Sequence, residues 1–101
     1  MENLKQYLIE ETNKEIKEKE AEIKNSDEEL KILEAKLKVE KKFLEMEDVG
    51  KEIKEDIKKF SIVMVEDGIM IEKNRIDELK KDLKILRLRK QVINKFEDGE
   101  L

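Results

Sequence analysis

The sequence predicts a mainly α protein: a long-helix coiled coil or helical-hairpin bundle that self-associates, with a small β-hairpin at residues 62–72. Three observations predict it. Ile9, Ile16, Ile23, Leu30, Leu37 and Leu44 fall seven apart without a miss, and a helix returns the same face to a partner every seven residues. Half of the 101 residues are Asp, Glu, Lys or Arg and none is proline, a composition of long helices, since proline is the residue that most disrupts them. Residues 61–72 depart from this pattern, with crowded β-branched side chains, little charge and Asp67-Gly68 at the centre; Asp-Gly between apolar runs is a strong signal for a two-residue β-turn.

Taken in order, residues 1–47 read as one long helix. Its first stretch is narrow: Ile16 and Ile23 stand among Glu and Lys, and the companion positions three residues on are Thr12, Lys19 and Ser26, which are poor for a tight two-stranded coil. Pairs such as Glu10–Lys14, Glu15–Lys19 and Glu20–Lys24 would add a few tenths of a kcal/mol each. Ser26 and Glu29 have capping-box spacing, so a restart near residue 26 competes with an unbroken helix. Beyond Leu30 the apolar face widens. A second seam of Ile32, Ala35, Val39, Phe43 and Met46 joins the first, and two seams on one helix call for two neighbours. That second seam extends through Gly50, Ile53, Ile57, Phe60 and Met64, giving a helix over 49–60, with Asp48-Val49-Gly50 as an alternative break. The hairpin or turn occupies 61–73; a two-residue turn pairs Val65 with Met70 and Met64 with Ile71. The competing arrangement is a helix to Val65, a turn closed by Gly68 and a new helix from Ile69. A last helix spans 74–97, with Asn74 as N-cap, Asp77 in its first turn and Ile76, Leu79, Leu83, Leu86 and Ile93 as its seam. Lys90 falls at a seam position, as Thr12 does earlier, where polar residues can fix register.

With 38% apolar and 4% aromatic residues, the chain has material for one domain with a thin core. It contains no cysteine and no histidine, so disulfides, thiolate chemistry and the commonest metal ligand and general base are absent. Acidic clusters such as Asp27-Glu28-Glu29 and Glu45-Glu47-Asp48 match no metal loop. Phosphate-cradling glycine loops and nucleophile elbows are missing too. No catalytic, cofactor-binding or metal-binding residue is therefore assigned, and no enzymatic activity is expected. No apolar run has the length of a membrane span, and the N-terminal residues lack the form of a signal peptide; a cytoplasmic protein without membrane contact is expected.

Charge is uneven. Residues 1–50 carry 10 Lys against 15 acids, net −5, and residues 51–101 carry 13 bases against 12 acids, net +1. The basic run Lys80, Lys81, Lys84, Arg87, Arg89 and Lys90 could meet phosphates. Without interleaved aromatics, and with acidic helices in the same chain, it is expected to pair within the chain or between subunits, and not to bind nucleic acid directly.

The functional expectation is a non-catalytic coiled-coil interaction module that binds a larger protein as an adaptor, scaffold or inhibitor. It should self-associate, a dimer being favoured, along the Ile9–Leu44 seam. The tip, with Met64, Val65, Ile69 and Met70, is the expected partner-binding surface, because a plain connection would be polar. A second expectation is a small acidic inhibitor, of the kind carried by phages, that occupies the nucleic-acid groove of an enzyme through the net −5 half. A third comes from layout. A long helix, small hairpin and returning helix over residues 1–97 resembles the plan of prefoldin β-type subunits, and the resemblance implies a holdase whose coiled-coil arms hold unfolded clients.

Overall fold

A computed structural model describes residues 3–101. Its elements are α1 (Leu4–Phe43), α2 (Lys51–Asp56), a π-helical turn (Ile57–Ile62) and α3 (Val63–Asn94). The backbone stays helical where α2 passes into the π turn and where that turn passes into α3, with Ile57 at φ −60°, ψ −45° and Val63 at φ −59°, ψ −44°. Asn3 caps the start of α1: its Oδ1 accepts the Gln6 N–H at 3.0 Å, satisfying one of the amides that a helix start leaves without a partner. At the other end Glu45 and Met46 donate to Lys42 and Phe43 carbonyls at 3.0 and 3.2 Å, tightening the last turn before the chain reverses. Gly50 then opens α2 with extended backbone and no side-chain cap.

Three expectations are corrected. No strand forms among the described residues, and residues 61–72 are helical throughout; the β-hairpin at 62–72 is replaced by the end of the π turn and the start of α3. Asn74 is not an N-cap but lies inside α3, and Ser26 starts nothing, because α1 runs through it unbroken. The break falls instead at residues 44–50, next to the glycine. The physical reason for the first correction is periodicity. Ile62, Val65, Ile69, Glu72 and Ile76 follow steps of three and four, and all are buried or half-buried, so helix packing rewards the whole run. A hairpin would recover only a few cross-strand pairs. Gly68, the residue that suggested a turn, faces α1: a Cβ there would lie 3.4 Å from Leu33 Cδ1.

The chain divides into two compact units. The turn unit, Ser26–Ile76, holds the C-terminal part of α1, the reversal at 44–50, α2, the π turn and the start of α3. The reversal makes its helices antiparallel. Leu30, Leu33, Leu37 and Leu44 are half-buried, and Ser26, Ile62 and Ile76 are buried. The terminal unit, Met1–Asn25 with Asp77–Leu101, pairs the first part of α1 with the last part of α3. Its core is Leu79, Leu83 and Leu86, with Ile9, Ile16 and Ile23 half-buried.

The companion positions on α1 are more closely covered than its apolar column. Thr12 and Ser26 are buried, Ser26 to 3% exposure, whereas Ile9, Ile16 and Ile23 stay half-buried. In the terminal unit small Thr12 stands on the same face as half-buried Lys19, leaving room for leucines of α3. The Thr12 hydroxyl donates to the Leu8 carbonyl at 2.7 Å, so its burial leaves no polar atom without a partner.

The π turn has a local cause. Ile57 is half-buried and Ile62 buried, five residues apart. At ~100° per residue an α-helix would place them about 140° from each other. A wider turn with i→i+5 bonding absorbs the surplus residue and keeps both toward the covered side.

Candidate protein-interaction surface

Most of the second seam is left uncovered among the described residues, Ile57 being half-buried. Ile32, Val39, Phe43 and Met46 are exposed on or just after α1. Ile53, Phe60, Val63, Met64, Met70 and Ile71 are exposed from α2 to the start of α3. All of these belong to the turn unit. Met64 and Ile71, seven apart, share one face of α3; Val63 and Met70, also seven apart, lie on the adjoining one. Exposures of 65% for Phe60, 73% for Met64 and 67% for Ile71 leave side chains of this size largely in water. Burying one such side chain contributes roughly 1.5–3 kcal/mol.

A shallow groove of about 460 Å³ lies in the same unit, lined by Ile32, Ala35 and Val39 of α1 and Val65 of α3. Lys36 and Glu40 form its charged edge. This places the four residues nominated at the tip. Met64 and Met70 are solvent-facing, while Val65 and Ile69 are half-buried on the inner seam. The four therefore do not form one surface. Val65 still reaches the groove floor, whereas Phe60 and Ile71, beyond the four expected residues, extend the exposed face. Their signal was present in the sequence: Phe60 belongs to the second seam, and Ile71 repeats Met64 one heptad later.

No protein family, curated protein or solved structure matches this chain. The layout that resembled prefoldin subunits included a small hairpin between two helices, and that hairpin is not formed among the described residues.

Electrostatics add little to this surface. The ion pairs Lys42–Glu45 at 3.2 Å and Arg75–Glu72 at 3.9 Å each join residues three apart on or beside one helix; the first lies between exposed side chains, where such a pair contributes roughly 0–1 kcal/mol. Glu72 is nonetheless buried at a seam position of α3, a place where a charged group restricts the register its helix can adopt. In the terminal unit the Glu11 carboxylate beside Tyr7 holds the phenol above its usual pKa. Among the described residues no cluster of acidic side chains is arranged to hold a metal ion, and no helix is long and apolar enough to cross a membrane.

Proposed function

We propose that this chain is a non-catalytic coiled-coil module that binds a larger protein through the uncovered apolar face of the turn unit. One observation carries the reading: the turn unit exposes a series of large apolar side chains, with Phe60, Met64 and Ile71 each about two-thirds or more in solvent. Soluble monomers rarely leave contiguous apolar patches beyond a few hundred Å² uncovered, and those that do mark binding sites. The regular helical spacing of the patch suits a partner that presents another helix. Self-association is the simplest form of the same contact, because a two-fold dimer would cover the face on both copies at once.

The test is a pair of variants that leave the inner seam alone, Phe60→Ser with Met64→Ser, compared with wild type by light scattering and by capture of a partner from the native host. The reading expects unchanged helix content and loss of either the dimer or the captured protein. A monomeric wild type that captures nothing, or a double variant that captures as well as wild type, would refute it. Collapse of capture at high salt would favour the acidic-inhibitor reading, since apolar docking survives screening and charge mimicry does not.

A further inference from the structure

We infer that the terminal unit carries a second docking site, a basic-rimmed apolar groove that takes an acidic amphipathic helix of a partner protein. The groove, of about 620 Å³, is floored by Ile23 of α1 and Leu83 and Leu88 of α3. Lys80, Lys84 and Arg87 rise along its α3 side, continued by Gln91. Their spacings of four, three and four keep them in one stripe of the helix. The α1 side contributes a single carboxylate, Glu20.

The basic stripe is largely unneutralised by its own chain. From Leu79 to Lys95 there are seven cations and one carboxylate, Asp82. Among the described residues only Arg87 of the seven lies within ion-pair distance of a carboxylate, Glu20 at 3.9 Å, with both side chains more than half exposed. The expectation that this run pairs within the chain is thus met at one position. Of the others, Lys80 and Lys84 stand in solvent beside an apolar floor on which Leu88 is about half exposed.

These features together define the occupant's chemistry. Apolar side chains must meet Ile23, Leu83 and Leu88, and carboxylates must meet Lys80, Lys84 and Arg87. The cations sit at helical intervals, so carboxylates at i, i+4 and i+7 of a second helix can face them in register, with leucine-like residues between. From Lys80 to Gln91 the groove runs roughly 17 Å at ~1.5 Å per residue, three turns of such a partner. No aromatic side chain lines it, which removes the stacking that single-stranded nucleic acid uses. A flat anionic membrane would meet Glu20 as well as the lysines, and would leave the concave floor unfilled.

The probe is a labelled synthetic peptide of about three heptads, with leucine at a and d and glutamate at e and g. Fluorescence anisotropy should show it binding the full chain, and Lys80→Glu with Lys84→Glu should weaken that binding by about tenfold or more. Both lysines are exposed, so this variant should keep the wild-type circular dichroism. Leu88→Ser should also weaken it, and the same charge reversal at exposed Lys31 and Lys38, in the other unit, should not. A peptide with lysine at e and g should fail to bind. The proposal is overturned if the charge-reversed protein binds the acidic peptide equally. It is also overturned if a version with alanine replacing leucine binds as tightly, since charge alone would then suffice. Preferential binding to phosphatidylserine vesicles or to duplex DNA, lost in the same charge-reversed variant, would reassign the stripe to that ligand.

Discussion

Leu79, Leu83 and Leu86 of the terminal unit are covered, while Phe60, Met64 and Ile71 of the turn unit stand in solvent, although all six lie on the continuous helical stretch that starts at Lys51. Hydrophobicity does not separate the two sets. Heptad position does. The first three continue the three–four steps of Ile62, Val65, Ile69, Glu72 and Ile76; the others lie outside that series, on faces left largely in solvent among the described residues. The terminal unit closes a leucine core between its two helices, though Ile85, Leu88 and Val92 remain exposed on α3. The turn unit has fewer buried apolar residues and more exposed ones, and its composition suits a structure completed by another protein.

The sharpest way to break this comparison is Leu83→Ala. Leu83 is buried, and removing it should destabilise the protein by about 2–5 kcal/mol in chemical denaturation. Leu37→Ala strikes the equivalent seam of the turn unit, where the leucine is only half-buried. It should cost about 1–2 kcal/mol if the chain unfolds as a monomer. A loss as large as that of Leu83→Ala, growing with protein concentration, would show that the turn unit is buried in an assembly.

Gly68→Ala works in the opposite direction. An added Cβ would touch the end of the Leu33 side chain at 3.4 Å, an ordinary contact, and alanine is favoured over glycine in a helix by about 1 kcal/mol. The melting temperature should therefore rise; a fall would mean that α1 and α3 approach too closely at this point for any side chain. Glu20→Gln is the smallest change. It removes the 3.9 Å pair with Arg87 between two exposed side chains, and its effect on stability should stay within about 0.5 kcal/mol. A larger loss would give that pair a weight its exposure does not suggest.

Much of this contrast was legible in the sequence, and the failures have physical causes. The Ile9–Leu44 column was legible as a helix-contact face, and its six residues are half-buried; the self-association expected along it stands as a proposal. The second seam was legible as well, though most of it stays exposed among the described residues. Residues 61–72 misled because β-branched residues and Asp67-Gly68 carry a strong local preference, and because Glu72 hides the heptad step between Ile69 and Ile76. Thr12 and Ser26 looked like weak points in the coil. They are instead the places where short side chains are most fully covered. The basic rim of the terminal groove was legible as a charge run, but its floor was not, since it requires Ile23 and Leu83, sixty residues apart in the chain, to come together.

The π turn has a consequence for how this sequence can change. Between Ile57 and Ile62 the chain carries one residue more than an α-helical seam needs, and the slack is taken up within that single turn. Loss of one codon there, at Lys58 or Lys59, would leave an ordinary four-residue step, and every position from Ile62 onward would keep its place in the seam. A deletion of one residue elsewhere in α3 would instead rotate everything beyond it by about 100° and take the leucines out of the core. The helix is thus unequally tolerant of insertion and deletion, and its most forgiving site lies beside Phe60, among the side chains it leaves in solvent.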